Sequence, residues 1–160
     1  MKKFLFTDID GVLVPGFISL DFSKHLFKKG IFSKMYYLKQ GNLVKQFLNK
    51  QASLDYTVSE WLNLWGQGIK GFSVELINDE AEHFFKKYEK KVFPSSLTLI
   101  EKFHSKGYKV LGVSAGVSEV MGPLGRYLNM DYIFASKLNV VDGNYSSEFL
   151  TNLLFAKETL

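Results

Sequence analysis

Three patterns of apolar and polar residues follow one another along the chain. The first is a short apolar run, FLF at positions 4–6, inside a segment (Lys3–Ile9) that we predict to be a β-strand. From about Phe17 to Val92, apolar residues recur every three or four positions, which is typical of amphipathic helices. After residue 93, predicted helices and strands alternate. These elements are a helix from Pro94 that ends at Gly107, a strand Tyr108–Val113, a helix Ser118–Leu128 that Gly122-Pro123 should kink or split, a strand Tyr132–Ser136, a hairpin turn at Asp142-Gly143 and a helix Phe149–Leu160.

The helical segment contains its own start and stop signals. Thr57 and Glu60 form a T-x-x-E capping box, which predicts that a helix begins there. Gly66 and Gly68 are expected to end that helix. A further helix is predicted over about residues 73–91, because its apolar positions fall on one stripe.

The order of these elements predicts an α/β fold, because helix-to-strand units build parallel sheets. The best segmentation is a discontinuous α/β core, residues 1–16 and 93–160, interrupted by an all-helical insertion over residues 17–92. With 160 residues, 46% of them apolar, the chain has ample material for one domain with such an insertion.

Charge is distributed unevenly along the sequence. The formal net charge is +4, and the stretch between Phe22 and Leu54 contains seven lysines and no acidic residue. Such a field would attract anions, either phosphorylated small molecules or nucleic acid. However, lysines that are spread out and not interleaved with arginine are more typical of the solvated face of surface helices. We therefore expect no nucleic-acid partner.

The chain contains no cysteine, which removes disulfides, thiolate metal sites and cysteine nucleophiles. The start, MKKFLF, resembles the beginning of a signal peptide, but the apolar stretch stops at Thr7-Asp8. No run approaches the length of a membrane span. We expect a soluble cytoplasmic protein without a membrane partner.

Asp8 and Asp10 are the central chemical signal. They follow a buried strand at the end where open α/β sheets place their ligands. One carboxylate there can attack phosphorus, and a second can donate a proton to the leaving oxygen and later take one from water. Gly11 would let the backbone turn away and would offer an N–H to an oxyanion. A hard divalent cation, most plausibly Mg²⁺, would bridge carboxylate and phosphate oxygens.

Other uses of a D-x-D sequence fit less well. An EF-hand loop that starts at Asp8 would need an oxygen ligand where Val12 stands and a glutamate where Ser19 stands. Glycosyltransferases also bind metal through D-x-D, but usually not on a strand at the extreme N-terminus.

Two further positions would complete a phosphate site. Ser114 ends an apolar strand, and Ala115 and Gly116 lead toward a helix, so a hydroxyl and the N–H groups of the turn can hold a phosphoryl oxygen. Lys157 would neutralise the phosphate and the nucleophilic aspartate. Alone, the serine is no more than a candidate helix N-cap, and the lysine carries no information.

Together and in this order, these residues resemble the motifs of the haloacid dehalogenase (HAD) superfamily. Asp8 and Asp10 resemble its first motif, Ser114 its second and Lys157 its third, and the helical insertion is similar to the C1 cap of the phosphoserine-phosphatase-like subgroup. The resemblance implies a three-layer α/β/α Rossmann-like core with an inserted helical cap. It also implies that Asp8 is the nucleophile, that Asp10 is the acid/base, that Ser114 and Lys157 hold the phosphoryl group, and that Mg²⁺ is required.

Some remaining motifs have simpler explanations. Gly66-x-Gly68-x-x-Gly71 fits a dinucleotide fingerprint, but it follows a helix instead of a strand, so we interpret it as a turn between cap helices. His25, His83 and His104 occur singly in helical segments and are expected to be surface or packing residues.

The family's fourth motif, one or two aspartates after the next strand, is missing from the sequence, where three residues follow Lys157. We therefore expect weaker Mg²⁺ binding, and we interpret the chain as a truncated family member, a fragment or a shortened gene product. The strand that would pair with the first strand is then missing as well. Phe4-Leu5-Phe6 becomes an apolar sheet edge, through which self-association is possible.

The expected substrate is a small phosphomonoester. Phosphoserine phosphatases carry a glutamate shortly after the first motif, whereas the nearest equivalent here is Phe17, which argues against phosphoserine. The leading hypothesis is Mg²⁺-dependent hydrolysis through an aspartyl-phosphate on Asp8. The alternative is a catalytically inactive HAD domain that binds a phosphorylated ligand or a partner protein.

Overall fold

The computed structural model describes residues 2–151. Within that range, a first strand is followed by four helices, and then by helices and strands in alternation. The elements are β1 (Lys3–Asp8), α1 (Ile18–Lys28), α2 (Lys34–Leu48), α3 (Leu54–Ile69), α4 (Val74–Tyr88), a 3₁₀ turn (Glu89–Lys91), α5 (Pro94–Ser105), β2 (Tyr108–Val117), α6 (Ser118–Tyr127), β3 (Tyr132–Val141) and β4 (Asn144–Thr151).

The strands form a sheet with the order β1-β2-β3-β4. The first three strands are parallel, and β4 returns antiparallel to β3. The turn between β3 and β4 is the predicted one, with Asp142 and Gly143 at φ +50° and +78°, as a tight hairpin turn requires. This parallel-dominated sheet with flanking helices confirms the predicted α/β fold class. The proposed boundaries between core and cap, residues 16/17 and 92/93, stay a prediction.

The register of β1 against β2 decides where the candidate chemistry lies. Asp8 at the end of β1 pairs with Val113, so the first aspartate and Ser114 lie beside one another at the same edge of the sheet. Parallel strands bring their carboxyl ends together, which is the reason for this juxtaposition.

The helices pack around an aromatic centre. Trp65 is fully buried and stacks on Trp61 and Phe32, with ring centroids 6.1 Å and 5.7 Å away. Phe22 contacts Trp65 and Phe84 at 5.6 Å and 5.4 Å. The aromatic residues that gave the segment its helical periodicity are therefore its core.

The start and end of α3 differ from the prediction. The helix begins at Leu54, and the N-cap is Ser53, whose hydroxyl accepts from the Tyr56 N–H at 3.2 Å. Thr57 lies inside the first turn and donates its hydroxyl to the Ser53 carbonyl at 2.8 Å, so the predicted capping box does not form. Ser53 is an equally good cap in sequence, and it is the cap that the chain uses.

Gly66 and Gly68 were predicted to end this helix and to form a turn together with Gly71. The prediction is wrong for Gly66 and Gly68. Both lie inside α3, which continues to Ile69. A Cβ on Gly66 would lie 2.7 Å from the Ser147 carbonyl oxygen of β4, and a Cβ on Gly68 would lie 2.1 Å from the Phe32 ring. Close packing, not helix termination, is the reason for these glycines. Gly71, at φ +83°, does lie in the turn before α4.

We expect Gly66→Ala to lower the free energy of unfolding by about 1–3 kcal/mol, because the new methyl group must displace β4. Helix propensity alone would predict the opposite change in the free energy of unfolding, because alanine in a helix interior is normally more stabilising than glycine. Gly41→Ala in α2 is the matched control, because its Cβ would meet nothing within 4 Å, and it should stabilise by about 1 kcal/mol. Urea unfolding of both variants measures the difference. An equal gain in both would contradict the close contact.

Two predictions in the C-terminal part also need correction. Gly122-Pro123 does not split α6, since the helix is continuous from Ser118 to Tyr127 and Pro123 lies inside it, whereas the kink that was expected as the other outcome stays a prediction. The predicted helix over 149–160 is wrong at its start, because Phe149–Thr151 belong to β4, where the second arm of the hairpin extends further than expected. The remainder of that helix lies outside the described residues.

Strand β1 is at one end of the sheet among the described strands, as expected. Phe4 and Phe6 are 49% and 58% exposed. Self-association through this edge stays a prediction. None of the helices within residues 2–151 is sufficiently long and apolar to cross a membrane.

Asp131 joins α5 to the start of β2 and β3. Its carboxylate accepts from Lys109 Nζ at 2.6 Å, from the Val110 N–H at 2.8 Å and from His104 Nε2 at 2.9 Å. The Lys109 ammonium, with the Val110 N–H and His104, lowers the pKa of Asp131 to about 2. His104 is therefore a structural partner, as expected.

We expect this carboxylate to make stability depend on pH in the acid range. Because the pKa of Asp131 is lowered in the folded state, its carboxylate stabilises the fold at pH values above 3.8, the ordinary pKa of an aspartate. That contribution is lost as the pH falls toward 2. Asp131→Asn should be less stable than wild type at pH 7, and the two should converge between pH 4 and 2. Thermal unfolding across this range, with Asp79→Asn on the exposed face of α4 as control, measures the difference. A constant difference down to pH 2 would contradict the assignment.

Candidate active site

The two aspartates of the first motif are held by backbone N–H groups. Asp8 Oδ1 accepts from the Ile9 N–H at 2.8 Å. Asp10 Oδ1 accepts from the Ile18 N–H at 2.8 Å, the first residue of α1. The N-cap position of α1 is Phe17, which has no side chain that can cap, so Asp10 supplies the acceptor from across the loop. The positive end of the helix dipole thus faces the Asp10 carboxylate.

Between the aspartates and α1 the chain makes a tight turn. Gly11 has φ +75°, and its N–H donates to the Val14 carbonyl at 2.8 Å. The Ile9 carbonyl accepts from the N–H groups of residues 12–14. Gly11 therefore adopts the positive φ that lets the backbone turn away, as predicted. A contact between its N–H and phosphate stays a prediction, and that contact would have to replace the bond to Val14.

Ser114 connects the second motif to the first. Its hydroxyl donates to Asp10 Oδ2 at 3.2 Å and accepts from the Gly116 N–H at 2.9 Å. The side chain is almost fully buried. The strand does not end at this serine, as the sequence suggested; it continues to Val117, with an irregular register between Val113 and Val117.

Ser19 was missed by the sequence reasoning, which selected Gly116 only as part of the turn after Ser114. The Ser19 hydroxyl accepts from the Val117 N–H at 3.1 Å, which ties α1 to the end of β2. A Cβ on Gly116 would lie 2.6 Å from Ser19 Oγ and 3.0 Å from Ser114 Oγ. The glycine after a Ser-Ala pair at a strand end was the available signal, since glycine there marks a close approach.

A single cavity of about 510 Å³ opens in front of these groups. At one end lie Asp8, Asp10, Ser114 and Ala115, which the sequence had selected. The opposite wall comes from the start of α1, from α2 and from α3, and it is mostly apolar. The lining residues are Asp8, Asp10, Phe17, Ser19, Leu20, Val44, Phe47, Leu54, Asp55, Thr57, Val58, Trp61, Ser114, Ala115 and Gly116.

Two other selected residues are not among those that line the cavity within residues 2–151. Gly11 is outside the cavity lining, and Lys157 lies outside the described residues. None of the seven lysines between Phe22 and Leu54 lines this cavity. His25 pairs with Glu80 at 2.7 Å, and His83 is exposed, in agreement with packing and surface roles.

The donors at the polar end fit a small, hard cation. Mg²⁺ is commonly bound through one or two carboxylates together with substrate phosphate oxygens and water. Asp8 and Asp10 supply carboxylate oxygens on one side of the cavity. Within residues 2–151 no group of three or more His, Cys, Asp or Glu side chains is placed to hold a metal, so a denser protein ligand set is not formed there.

Comparison with known proteins agrees with this geometry. Residues 5–159 match the family model described as haloacid dehalogenase-like hydrolase. The chain therefore belongs to the haloacid dehalogenase-like hydrolases, and the resemblance derived from the motifs is confirmed.

Individual relatives carry phosphatase names. A probable phosphatase of Mycobacterium tuberculosis is 28% identical over 145 residues, covering 89% of this chain and 50% of that protein. The phosphoserine phosphatase of Lactococcus lactis is 42% identical over 50 residues, covering 31% of this chain and 23% of that protein. The chain spans about half the length of the curated relatives that it matches along most of its own sequence.

A solved structure of a substrate-bound phosphoserine phosphatase has the same fold. It superposes with a TM-score of 0.62 at 19% identity, and the match covers 93% of this chain and 62% of that chain. At this identity the likeness concerns the fold alone, and it agrees with the predicted Rossmann-like class.

Proposed function

We propose that this protein is a phosphatase that hydrolyses a small phosphomonoester through an aspartyl-phosphate on Asp8, with Mg²⁺ as cofactor. The observation that carries the proposal is the convergence of Asp8, Asp10 and Ser114 on one end of a single cavity, in a chain of the HAD-like hydrolase family. The phosphatase names of the relatives support the reaction class.

In the first half-reaction, an Asp8 carboxylate oxygen attacks phosphorus and the bond from phosphorus to the ester oxygen breaks. Asp10, protonated at this stage, donates its proton to that leaving oxygen, and the alcohol departs. In the second half-reaction, Asp10 takes a proton from water as the water attacks the phosphorus, which breaks the Asp8–phosphorus bond. Inorganic phosphate is released, and both side chains return to their starting states.

The hydrogen bonds to Asp10 suit this double role. Ile18 N–H and Ser114 Oγ hold the two oxygens in place, so the carboxyl group keeps its position while its proton is transferred. Ala115 also lines the cavity, and its N–H would be offered to a phosphate oxygen, whereas the Gly116 N–H would first have to leave Ser114 Oγ. Lys157 would add a positive charge, as the family resemblance implies.

Asp8 and Asp10 would hold Mg²⁺. The cation would offset the negative charge that gathers between the carboxylates and the phosphate, which would otherwise repel one another.

A second candidate function is a non-catalytic HAD domain that binds a phosphorylated ligand or a partner protein. The absence of a third acidic ligand beside Asp8 and Asp10 within residues 2–151 favours it. Weak Mg²⁺ binding together with tight binding of a phosphate ester, and no turnover, would identify this case.

The test of the proposed function is phosphate release from a generic aryl phosphate by the full chain. We expect turnover in Mg²⁺, loss of turnover in EDTA and recovery when Mg²⁺ is restored. Turnover that persists unchanged in EDTA would contradict the assigned cofactor. Ester binding without turnover would favour the non-catalytic domain.

A further inference from the structure

We propose that the alcohol part of the substrate is uncharged and largely apolar, so that the protein acts on alkyl or aryl phosphomonoesters rather than on phosphorylated amino acids, amino alcohols or polyols. This inference rests on the proposed function and concerns the same cavity. The observation behind it is the wall that faces the carboxylates across about 510 Å³.

The wall opposite the carboxylates carries seven apolar residues, which come from three helical segments. Phe17 and Leu20 lie at the start of α1. The others are Val44 and Phe47 of α2 and Leu54, Val58 and Trp61 of α3. Phe17 and Leu54 line the cavity and are 41% and 51% exposed, so each has apolar surface that is not buried in the core. A bound apolar group would remove this surface from water.

Two of the polar side chains on this wall already make a hydrogen bond within the protein. Thr57 donates its hydroxyl to the Ser53 carbonyl, and Ser19 Oγ accepts from the Val117 N–H. A polyol would therefore find few polar partners on a mostly apolar wall to replace its hydrogen bonds to water.

The charges on the wall also disfavour phosphorylated amino acids. Among the described residues no Lys, Arg or His lines the cavity, so the carboxylate of a phosphorylated amino acid would have no cationic partner there. Asp55 is the acidic residue outside the catalytic end. It is exposed in the first turn of α3, where the helix dipole favours it.

The size of the cavity sets the length of the leaving group. Its volume lies in the lower half of the range of about 300–1,000 Å³ that is typical of small-molecule sites. Phosphate with one ring or a short alkyl chain fits this space.

The first experiment measures kcat/KM for ethyl, butyl and hexyl phosphate with the full chain in Mg²⁺, against phosphoserine, phosphoethanolamine and glycerol phosphate. These are all alkyl esters, so differences in leaving-group reactivity are small. We expect kcat/KM to rise up to about fourfold for each added methylene until the cavity is full. This factor corresponds to the free energy of transfer of one methylene group from water to an apolar site. A flat alkyl series, or a preference for any of the three polar esters, would overturn the inference.

Variants of the wall test the same point. Phe47→Ala should raise KM for hexyl phosphate and leave KM for ethyl phosphate nearly unchanged, because a short chain does not reach that wall. Leu48→Ala is the matched control, since its side chain is exposed next to Phe47 and does not line the cavity. Asp79→Asn, at an exposed position of α4 outside the cavity lining, should change neither ester. A specific loss with phosphoethanolamine in Asp55→Asn would overturn the inference.

A binding measurement separates this inference from the proposed function. Trp61 lines the cavity, so its fluorescence reports occupation by hexylphosphonate and ethylphosphonate, and Trp61→Phe identifies its signal. Tighter binding of the hexyl compound without turnover of any ester would support the apolar wall and overturn the phosphatase. Turnover of all esters at equal rates would support the phosphatase and overturn the apolar preference. Absence of both turnover and binding would overturn both.

Discussion

Asp8→Asn is expected to abolish phosphate release, with a fall in kcat of about 10⁴-fold or more, because an amide cannot serve as the nucleophile. The substitution is structurally conservative. Asp8 Oδ1 accepts from the Ile9 N–H, and an asparagine oxygen can accept the same bond. The measurement is steady-state phosphate release in Mg²⁺, with circular dichroism to show that the variant is folded.

The matched control for this prediction is Asp79→Asn, the same chemical change at an exposed position of α4. It should leave turnover unchanged. Wild-type turnover in Asp8→Asn would show that another group attacks phosphorus, and the mechanism would be wrong.

Asp10→Asn is expected to slow turnover by about 10²- to 10⁴-fold, the usual contribution of a general acid/base. The fold around residue 10 should persist, because an amide oxygen still accepts from the Ile18 N–H and the amide nitrogen can donate to Ser114 Oγ. With an ester whose leaving group departs easily, formation of the aspartyl-phosphate needs little help, whereas its hydrolysis still needs a base.

The phosphoenzyme should therefore accumulate in Asp10→Asn. A burst of about one alcohol per chain, followed by slow release, is the expected kinetic record. If the burst disappears and the steady-state rate also falls, Asp10 acts in the first step alone, the formation of the phosphoenzyme. An unchanged steady state would remove it from the mechanism.

The polar end of the site was predictable from the sequence because its geometry follows from topology. Carboxylates at the carboxyl end of one strand and a serine near the carboxyl end of the neighbouring parallel strand meet at the same sheet edge. The sequence could not show that Ser114 bonds directly to Asp10, or that Asp10 caps α1 in place of Phe17. These contacts depend on the exact course of the chain between residues 10 and 18.

The apolar end of the site was not predictable. Val44, Phe47 and Val58 fall on amphipathic helices, where an apolar residue facing a cavity has the same periodicity as one facing the core. The glycines of α3 were misinterpreted for a related reason. A glycine that ends a helix and a glycine that permits close packing look alike until the neighbouring strand is in place.

The beginning of the predicted last helix was wrong because Phe149 and Leu150 suit either a helix or a strand. Pairing of β4 with β3 across the Asp142-Gly143 turn decides between them. Tertiary pairing of this kind overrides local preference.

The central claim is that Asp8 becomes phosphorylated. The most direct test is mass spectrometry of the Asp10→Asn chain, quenched in acid within seconds of mixing with an aryl phosphate and Mg²⁺. The account predicts the added mass of one phosphoryl group on the peptide that contains Asp8, removable by hydroxylamine and absent from the Asp8→Asn, Asp10→Asn double variant. Phosphate release by Asp10→Asn without any added mass on that peptide, or a phosphoryl group on a different residue, would contradict it.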